Sequence, residues 1–228
     1  MQSLLHKARH YLLPTRPRLQ QYTSFTFPAA APFLLLAGDI GRLVDYASYL
    51  VFLFAQTARF KRAFLVLGNH EFYGLFYSAS LDAARKLSAE PSLGGGLVLL
   101  HRARWDDPDS DLTILGCTLW SSIPDASRPV VEAKVNDFKH ITNWTAQRHT
   151  EIHDEERRVL GATHHAPCVE GLARPEQGRE GRVRVWVFGY TRFSVRLKRG
   201  GVRVVANQRV YVFPRGEKGF DDGLVVVA

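Results

Sequence analysis

The fold is decided by FLLLAGDIG at residues 33–41 and FLVLGNHEFYG at residues 64–74. Each stretch is an apolar run that ends abruptly in a glycine and polar residues. Such a run predicts a short strand that is buried on both faces of its sheet. Between the two runs, residues 43–60 carry apolar side chains at helical spacing. The order strand, helix, strand predicts a parallel crossover unit and therefore an α/β fold.

The rest of the chain continues the alternation and then becomes richer in strands. We predict helices at residues 78–87, 130–141 and 146–160, and strands at residues 97–100, 113–116, 183–188, 193–197 and 202–207. Gly200 and Gly201 predict a tight hairpin between the last two of these strands. No internal repeat is visible. The sequence therefore predicts one domain over residues 1–213, followed by a tail at 214–228.

The composition excludes several classes of protein. With 46% hydrophobic residues the chain can form a core and is not disordered. Its two cysteines, Cys117 and Cys168, exclude a disulfide scaffold. No apolar run approaches the roughly 18 residues that a membrane-spanning helix needs. We therefore expect a cytoplasmic protein without a membrane partner.

The charge is basic, with 30 Lys and Arg against 22 Asp and Glu and a net charge of +8. A basic surface favours anionic partners. We expect an anionic or phosphorylated small molecule rather than nucleic acid, because the arginines of residues 182–203 alternate with apolar residues, as on a strand with one solvated face. The chain has no acidic residue before Asp39. That basic N-terminus is compatible with a transit peptide or with a first strand near Ser3–His6.

Three polar clusters follow predicted strands or lie in loops: Gly38-Asp39, Gly68-Asn69-His70-Glu71 and Thr163-His164-His165. Ligands of open α/β sheets bind beyond the carboxyl ends of the strands. Taken singly, each cluster is explained by a turn, a helix cap or a surface pair. Together, their carboxylate, amide and imidazole groups predict a site for Mn, Fe or Zn.

These clusters, in this order, resemble the motifs of the calcineurin-like metallophosphoesterases. That family has Asp-x-His, Gly-Asp, Gly-Asn-His-Asp/Glu, a further His and Gly-His-x-His, and the chain has LLLAGDIGRL, FLVLGNHEFYG, ATHHAPC and VWVFGYTRFSV. The resemblance implies a four-layer sandwich of two mixed β-sheets flanked by helices. It also implies that Asp39 bridges two metal ions, that Asn69 and His164 ligate the second metal, and that His70 donates to the phosphate or leaving oxygen.

The chain departs from the family at both ends of this pattern. The last motif is Gly189-Tyr190-Thr191-Arg192, so a phenol and a guanidinium replace two imidazoles. Neither is a suitable ligand for a divalent cation at neutral pH. In the first motif, the best register keeps His6 but places Leu4 where a carboxylate belongs. Because a catalytic metal ordinarily has about three protein ligands, the first site is predicted to be empty and the second to be partly occupied.

Several interpretations of this altered site remain open. One is a phosphoester hydrolase with reduced or altered activity. A second is a binding or scaffold protein. A third is a metal-independent enzyme in which Arg192 holds an anion and the acid and base groups come from Tyr190, His70, His164 and His165. An imperfect gene model, with motifs lost by mis-splicing, would also explain why the segment between residues 160 and 189 is short and why the buried strand expected before Thr163-His164 is hard to find.

Two other features have ordinary structural explanations. Trp120 and Trp144 are predicted to pack in the core rather than to stack on a substrate, although they lie with His140 in the region that caps the site in such folds. Cys168 is predicted to be a buried thiol rather than a nucleophile.

Overall fold

The structure is a computed structural model that describes residues 4–8, 27–156, 162–163, 185–189, 194–199, 201–206, 221 and 224–227. For residues 4–8, 162–163, 195, 199 and 227 it describes the backbone alone. The described residues form a mixed α/β fold with two β-sheets and several helices. None of the described helices is long and apolar enough to cross a membrane.

The strands are β1 (Leu4–Ala8), β2 (Phe33–Ala37), β3 (Arg62–Val66), β4 (Leu97–Leu99), β5 (Ala103–Asp106), β6 (Thr113–Cys117), β7 (Ala162–Thr163), β8 (Val185–Phe188), β9 (Val195–Arg199), β10 (Val202–Ala206) and β11 (Val225–Val227). The α-helices are α1 (Tyr46–Thr57), α2 (Tyr77–Ser88), α3 (Arg128–Lys134), α4 (Asp137–His140) and α5 (Ala146–Glu156). Short 3₁₀ turns occur at Leu43–Asp45, His70–Phe72, Pro91–Leu93 and Asp125–Ser127.

The first sheet has the strand order β11-β1-β2-β3-β4. Strands β1 to β4 are parallel, and β11 pairs antiparallel to β1. The strand predicted near the N-terminus is therefore present, and its neighbour is β2. Strand β11 lies inside the segment that we predicted as a tail, and it forms one edge of this sheet. The second sheet has the order β5-β6-β7-β8-β10-β9, with the predicted hairpin between β9 and β10.

The apolar runs of β2 and β3 are buried on both faces, as predicted. On one face, Leu34 and Leu36 belong to a cluster with Tyr49 and Leu53 of α1 and Leu81 of α2. On the other face, Phe33, Leu35 and Phe64 belong to a cluster with Ile114 and Val187 of the second sheet. The first sheet thus lies between helices and the second sheet. The complete four-layer sandwich stays a prediction.

The helix predicted over residues 130–141 is wrong, because the chain forms two shorter helices there. Val135 is extended, with φ −86° and ψ 133°, and separates α3 from α4. The break turns Asp137, the first residue of α4, into the interior, where 4% of its surface is exposed. Strand β5 was not predicted at all. The strand that should precede His164 is present as the two-residue β7, paired between β6 and β8.

Candidate functional site

Asp39 and Asn69 lie at the carboxyl edge of the first sheet. Strand β2 ends at Ala37 and its parallel neighbour β3 ends at Val66, so the loops that follow leave the same edge. The backbone N–H of His70 donates to Oδ1 of Asp39 at 3.1 Å. The two predicted loops therefore meet, and both Asp39 and Asn69 are buried.

The chain makes a sharp turn as it leaves β2. Gly38 has φ 83° and Asp39 has φ 55°, both in the left-handed region. A glycine adopts this region without steric cost, and aspartate tolerates it better than most residues. Strained non-glycine residues cluster at functional sites. The turn after β2 thus favours glycine and aspartate at these two positions, independently of the metal chemistry predicted for Asp39.

Glu71 holds the two loops together. Its Oε2 accepts the backbone N–H groups of Asp39 at 2.9 Å and Gly68 at 2.8 Å. Its Oε1 accepts those of Ile40 at 2.7 Å and Gly41 at 3.2 Å. The residue has no exposed surface. A single carboxylate therefore pairs the buried N–H groups of both loops and fixes their separation.

Glu71 is consequently a positioning residue and not a metal ligand, because both of its oxygens are occupied. The hydroxyl of Tyr49 also donates to Oε1 at 3.2 Å. Burial and the neighbouring Asp39 carboxylate raise the pKa of Glu71 to about 7, although the backbone N–H groups favour its ionised form. Glu71 belongs to the motif Gly68-Asn69-His70-Glu71, but its residue type and position alone predict no role for it.

Asp137 orients the side chain of Asn69. Its Oδ1 accepts Nδ2 of Asn69 at 2.7 Å and the hydroxyl of Tyr73 at 2.7 Å. Burial raises the pKa of Asp137, while these two hydrogen bonds lower it. The amide nitrogen of Asn69 is thus fixed on the Asp137 side, and its oxygen faces away from that carboxylate. Sequence reasoning missed Asp137, which was placed in the interior of a predicted helix.

His70 lies beside the same loops. Its ring stacks on Tyr73 with ring centroids 4.6 Å apart and an interplanar angle of 24°. The Tyr73 ring also contacts His140 at 5.0 Å. Burial and Asp137 raise the pKa of Tyr73, so its hydroxyl stays protonated and donates to Asp137. These contacts fix the position of His70 next to Asp39. Its catalytic role stays a prediction.

The remaining predicted site residues lie outside the described part of the chain. These are His164, His165, Tyr190 and Arg192, together with Cys168 and the side chain of His6. The backbone of His6 pairs with Leu34 on β2. The structure thus brings Asp39, Asn69 and His70 together, and the positions of the other ligand candidates stay predictions.

The described residues fit a metal site only in part. Asp39 and Asn69 supply a carboxylate and an amide oxygen, which are donors that Mg²⁺ or Mn²⁺ accepts. Among residues whose side chains are described, no group of three or more His, Cys, Asp or Glu is placed to hold a metal. The described donor set is therefore short of the usual three protein ligands.

The tryptophans of the central region pack in the core, as predicted. Trp120 and Trp144 are buried, with ring centroids 5.0 Å apart. His149 contacts both rings and lies in the same interior. The remaining cysteine, Cys117, is a buried thiol whose pKa is raised by burial, so it is not a reactive nucleophile.

With this geometry established, the chain can be compared with known proteins. Its fold is similar to the crystal structure of the phosphopantetheinyl hydrolase PptH from Mycobacterium tuberculosis, with a TM-score of 0.57 and 15% sequence identity over 90% of this chain and 88% of that one. This similarity shows a shared fold and no more. The chain is also 21% identical over 226 residues to the uncharacterized protein L509 of Acanthamoeba polyphaga mimivirus, covering 80% of each. No protein-family model matches the chain, so membership in the calcineurin-like family stays a prediction.

Proposed function

We propose that this protein is a phosphoester hydrolase of the four-layer metallophosphoesterase type whose metal site is weakened and whose activity is reduced or altered. The observation that carries the proposal is the meeting of Asp39 and Asn69 at one sheet edge. Glu71 fixes the two loops there, and Asp137 fixes the Asn69 amide. Residues that hydrogen-bond to metal ligands orient those ligands and change the affinity of the site for its metal.

The chemistry of the site follows from its donors. Asp39 and Asn69 would hold a divalent cation, together with His164. When bound, the metal supplies positive charge for the phosphate and lowers the pKa of a water. His70, fixed by Tyr73, would donate a hydrogen bond to a phosphate or leaving oxygen.

The weakening of the site rests on the sequence at residues 190 and 192. Tyr190 and Arg192 stand where the resemblance expects histidines, and Leu4 stands where it expects a carboxylate. A guanidinium carries a permanent positive charge and can hold an oxyanion in place of a metal. This supports binding of an anionic small molecule even at partial metal occupancy.

Metal content and turnover test the proposal directly. Mn, Fe and Zn should be quantified in the purified protein, and hydrolysis of an aryl phosphate and of a phosphopantetheinyl conjugate should be assayed with added Mn²⁺. The conjugate is included because the structural neighbour is named for that activity. We expect less than one metal per chain and weak turnover. Two metals per chain with rapid turnover would show that the site is intact.

Restoring the two histidines tests the proposed location. The double variant Tyr190→His and Arg192→His should raise Mn²⁺ occupancy, because it returns two imidazole ligands to the site. Adding Asp39→Asn to that variant should remove the gain. If occupancy does not rise, these residues do not face Asp39 and Asn69. Turnover without metal that is lost in Arg192→Ala would instead support the metal-independent enzyme, and absence of both turnover and metal would support a scaffold.

A further inference from the structure

An open cavity of about 350 Å³ adjoins the candidate site. Asp137 belongs to its lining and is also the residue that accepts the Asn69 amide. The cavity and the site thus have this one residue in common, whereas Asp39 and Asn69 are not part of the lining. The volume of the cavity lies at the lower end of the range for small-molecule pockets.

The lining of the cavity is uncharged except at Asp137. Ser121, Ser122 and Ser127 contribute hydroxyls, and Val131 and Phe138 contribute apolar surface. Among the described residues, no lysine or arginine lines it. A second phosphate or carboxylate would lack a positive partner here, and Asp137 would repel it. The lining suits a neutral group that has both apolar carbon and hydrogen-bonding atoms.

The hydrogen bonds of His149 determine what Ser121 can offer to such a group. The indole Nε1 of Trp144 donates to Nδ1 of His149 at 3.2 Å. An indole can only donate, so Nδ1 carries no proton and the ring proton of the neutral imidazole is on Nε2. That nitrogen lies 3.0 Å from Oγ of Ser121 and donates to it. Burial lowers the pKa of His149 to about 4, which keeps the ring neutral near pH 7.

Two consequences follow for Ser121. His149 cannot remove its proton, so this pair is not a nucleophile and base. Because Oγ already accepts from His149, its own hydroxyl hydrogen can be donated to an acceptor in the cavity. An amide carbonyl or a hydroxyl oxygen is such an acceptor.

We propose that this cavity binds the neutral, amide- or hydroxyl-bearing part of a phosphorylated ligand, with Ser121 donating to it. The inference rests on the proposed function, because it places the phosphate of the same ligand at Asp39 and Asn69. It adds the class of the organic group: neutral, with a hydrogen-bond acceptor for the Ser121 hydroxyl.

Binding of three probes to the full chain with Mn²⁺ at pH 7.5 tests it by calorimetry: inorganic phosphate, ethyl phosphate and N-acetyl-2-aminoethyl phosphate. The amide-bearing ester should bind about tenfold more tightly than ethyl phosphate, as one hydrogen bond and some apolar contact allow. Ser121→Ala should bring that ratio close to one without changing the Kd of inorganic phosphate. Ser88→Ala, a substitution at a half-buried serine at the end of α2, is the matched control and should leave all three values unchanged.

The outcomes separate the two proposals. If phosphate binds but the two esters bind equally in the wild type, or if the ratio survives in Ser121→Ala, the cavity assignment is overturned while the proposed function stands. If inorganic phosphate does not bind at all, the proposed function fails and the cavity assignment fails with it.

Discussion

Two glutamates of this protein, Glu71 and Glu156, are alike in burial and differ in their partners. Neither has exposed surface, and burial raises the pKa of each to about 7. Glu71 accepts backbone N–H groups from two loops on both oxygens. Glu156, at the end of α5, accepts the Trp120 N–H on Oε2 at 3.1 Å and a backbone hydrogen bond from Leu119. Its Oε1 has no partner in the part of the chain that the structure describes.

The comparison distinguishes the free-energy cost of burying a carboxylate from the role of that carboxylate in positioning the loops around it. A buried carboxylate costs desolvation free energy, which is offset only where hydrogen bonds satisfy it. At Glu71 those bonds also define the candidate site, so removal should damage both stability and binding. At Glu156 the cost is offset only in part, so neutralisation should increase stability.

The largest effect is expected for Glu71→Ala. The substitution leaves the N–H groups of Asp39, Ile40, Gly41 and Gly68 without their acceptor and opens a cavity. We expect a loss of about 4 kcal/mol in the free energy of unfolding, measured by urea denaturation. If the protein is too unstable to purify, amide exchange of Glu71→Gln reports the same loops. A loss below about 1 kcal/mol would mean that the loops are held by other contacts.

Glu156→Gln should instead increase the free energy of unfolding. The pKa of Glu156 is raised from 4.5 to about 7, so between these pH values the folded protein keeps a proton that the unfolded chain releases. Stability therefore falls as pH rises through this window, and the full cost is present above pH 7. At pH 8 we expect Glu156→Gln to raise the free energy of unfolding by about 2 kcal/mol.

The pH dependence provides the check for that substitution. At pH 4.5 the wild-type side chain is neutral, and the variant should match it in urea denaturation. Glu155→Gln, at an exposed neighbour that pairs with Arg102, is the matched control and should show no such gain at pH 8. Equal effects of Glu156→Gln at both pH values would contradict the assignment.

Asp137 is a third buried carboxylate, and it differs from Glu71 because its donors are side chains rather than backbone N–H groups. Asp137→Ala removes the acceptor of the Asn69 amide, which can then rotate away from its metal-binding orientation. We expect the affinity for Mn²⁺, measured by titration with EPR detection, to fall about tenfold. Tyr73→Phe removes the second donor to Asp137 and a weaker acceptor of the Asn69 amide, at 3.2 Å, but it leaves the hydrogen bond between Asn69 and Asp137. It should therefore change the affinity about twofold or less. Unchanged affinity in Asp137→Ala would contradict this role of Asp137 and would mean that other contacts, such as the Tyr73 hydroxyl, orient the Asn69 amide.

The sequence predicts the part of the site that depends on strand order. The apolar runs before Asp39 and Asn69 identify two buried parallel strands, and parallel neighbours end at the same sheet edge. In the structure the loops that carry these residues meet at that edge, because the backbone N–H of His70 donates to Asp39. The candidates beyond residue 160 lie outside the described residues, so the sequence-based set stays partly untested.

The contacts that fix the site were not predictable in the same way. Asp137 lies 68 residues from Asn69, and its side chain reaches the site only because the helix breaks at Val135. Periodicity reports which face of an element is apolar, and it carries no information about such a break. The role of Glu71 depends on the direction of backbone N–H groups in two loops, which residue types alone do not specify.

The smallest effect, for Tyr49→Phe, tests how completely Glu71 is satisfied. Tyr49 has no exposed surface, and its hydroxyl is a fifth donor to that carboxylate, at 3.2 Å. Because the backbone N–H groups remain, we expect a loss of only about 0.5–1 kcal/mol in the free energy of unfolding. Phosphate binding should be unchanged, because the loops keep their positions. A loss as large as that of Glu71→Ala would mean that the backbone N–H groups contribute little and that the Tyr49 hydroxyl holds the Glu71 carboxylate in place. The site would then depend on α1 rather than on the pairing of its two loops.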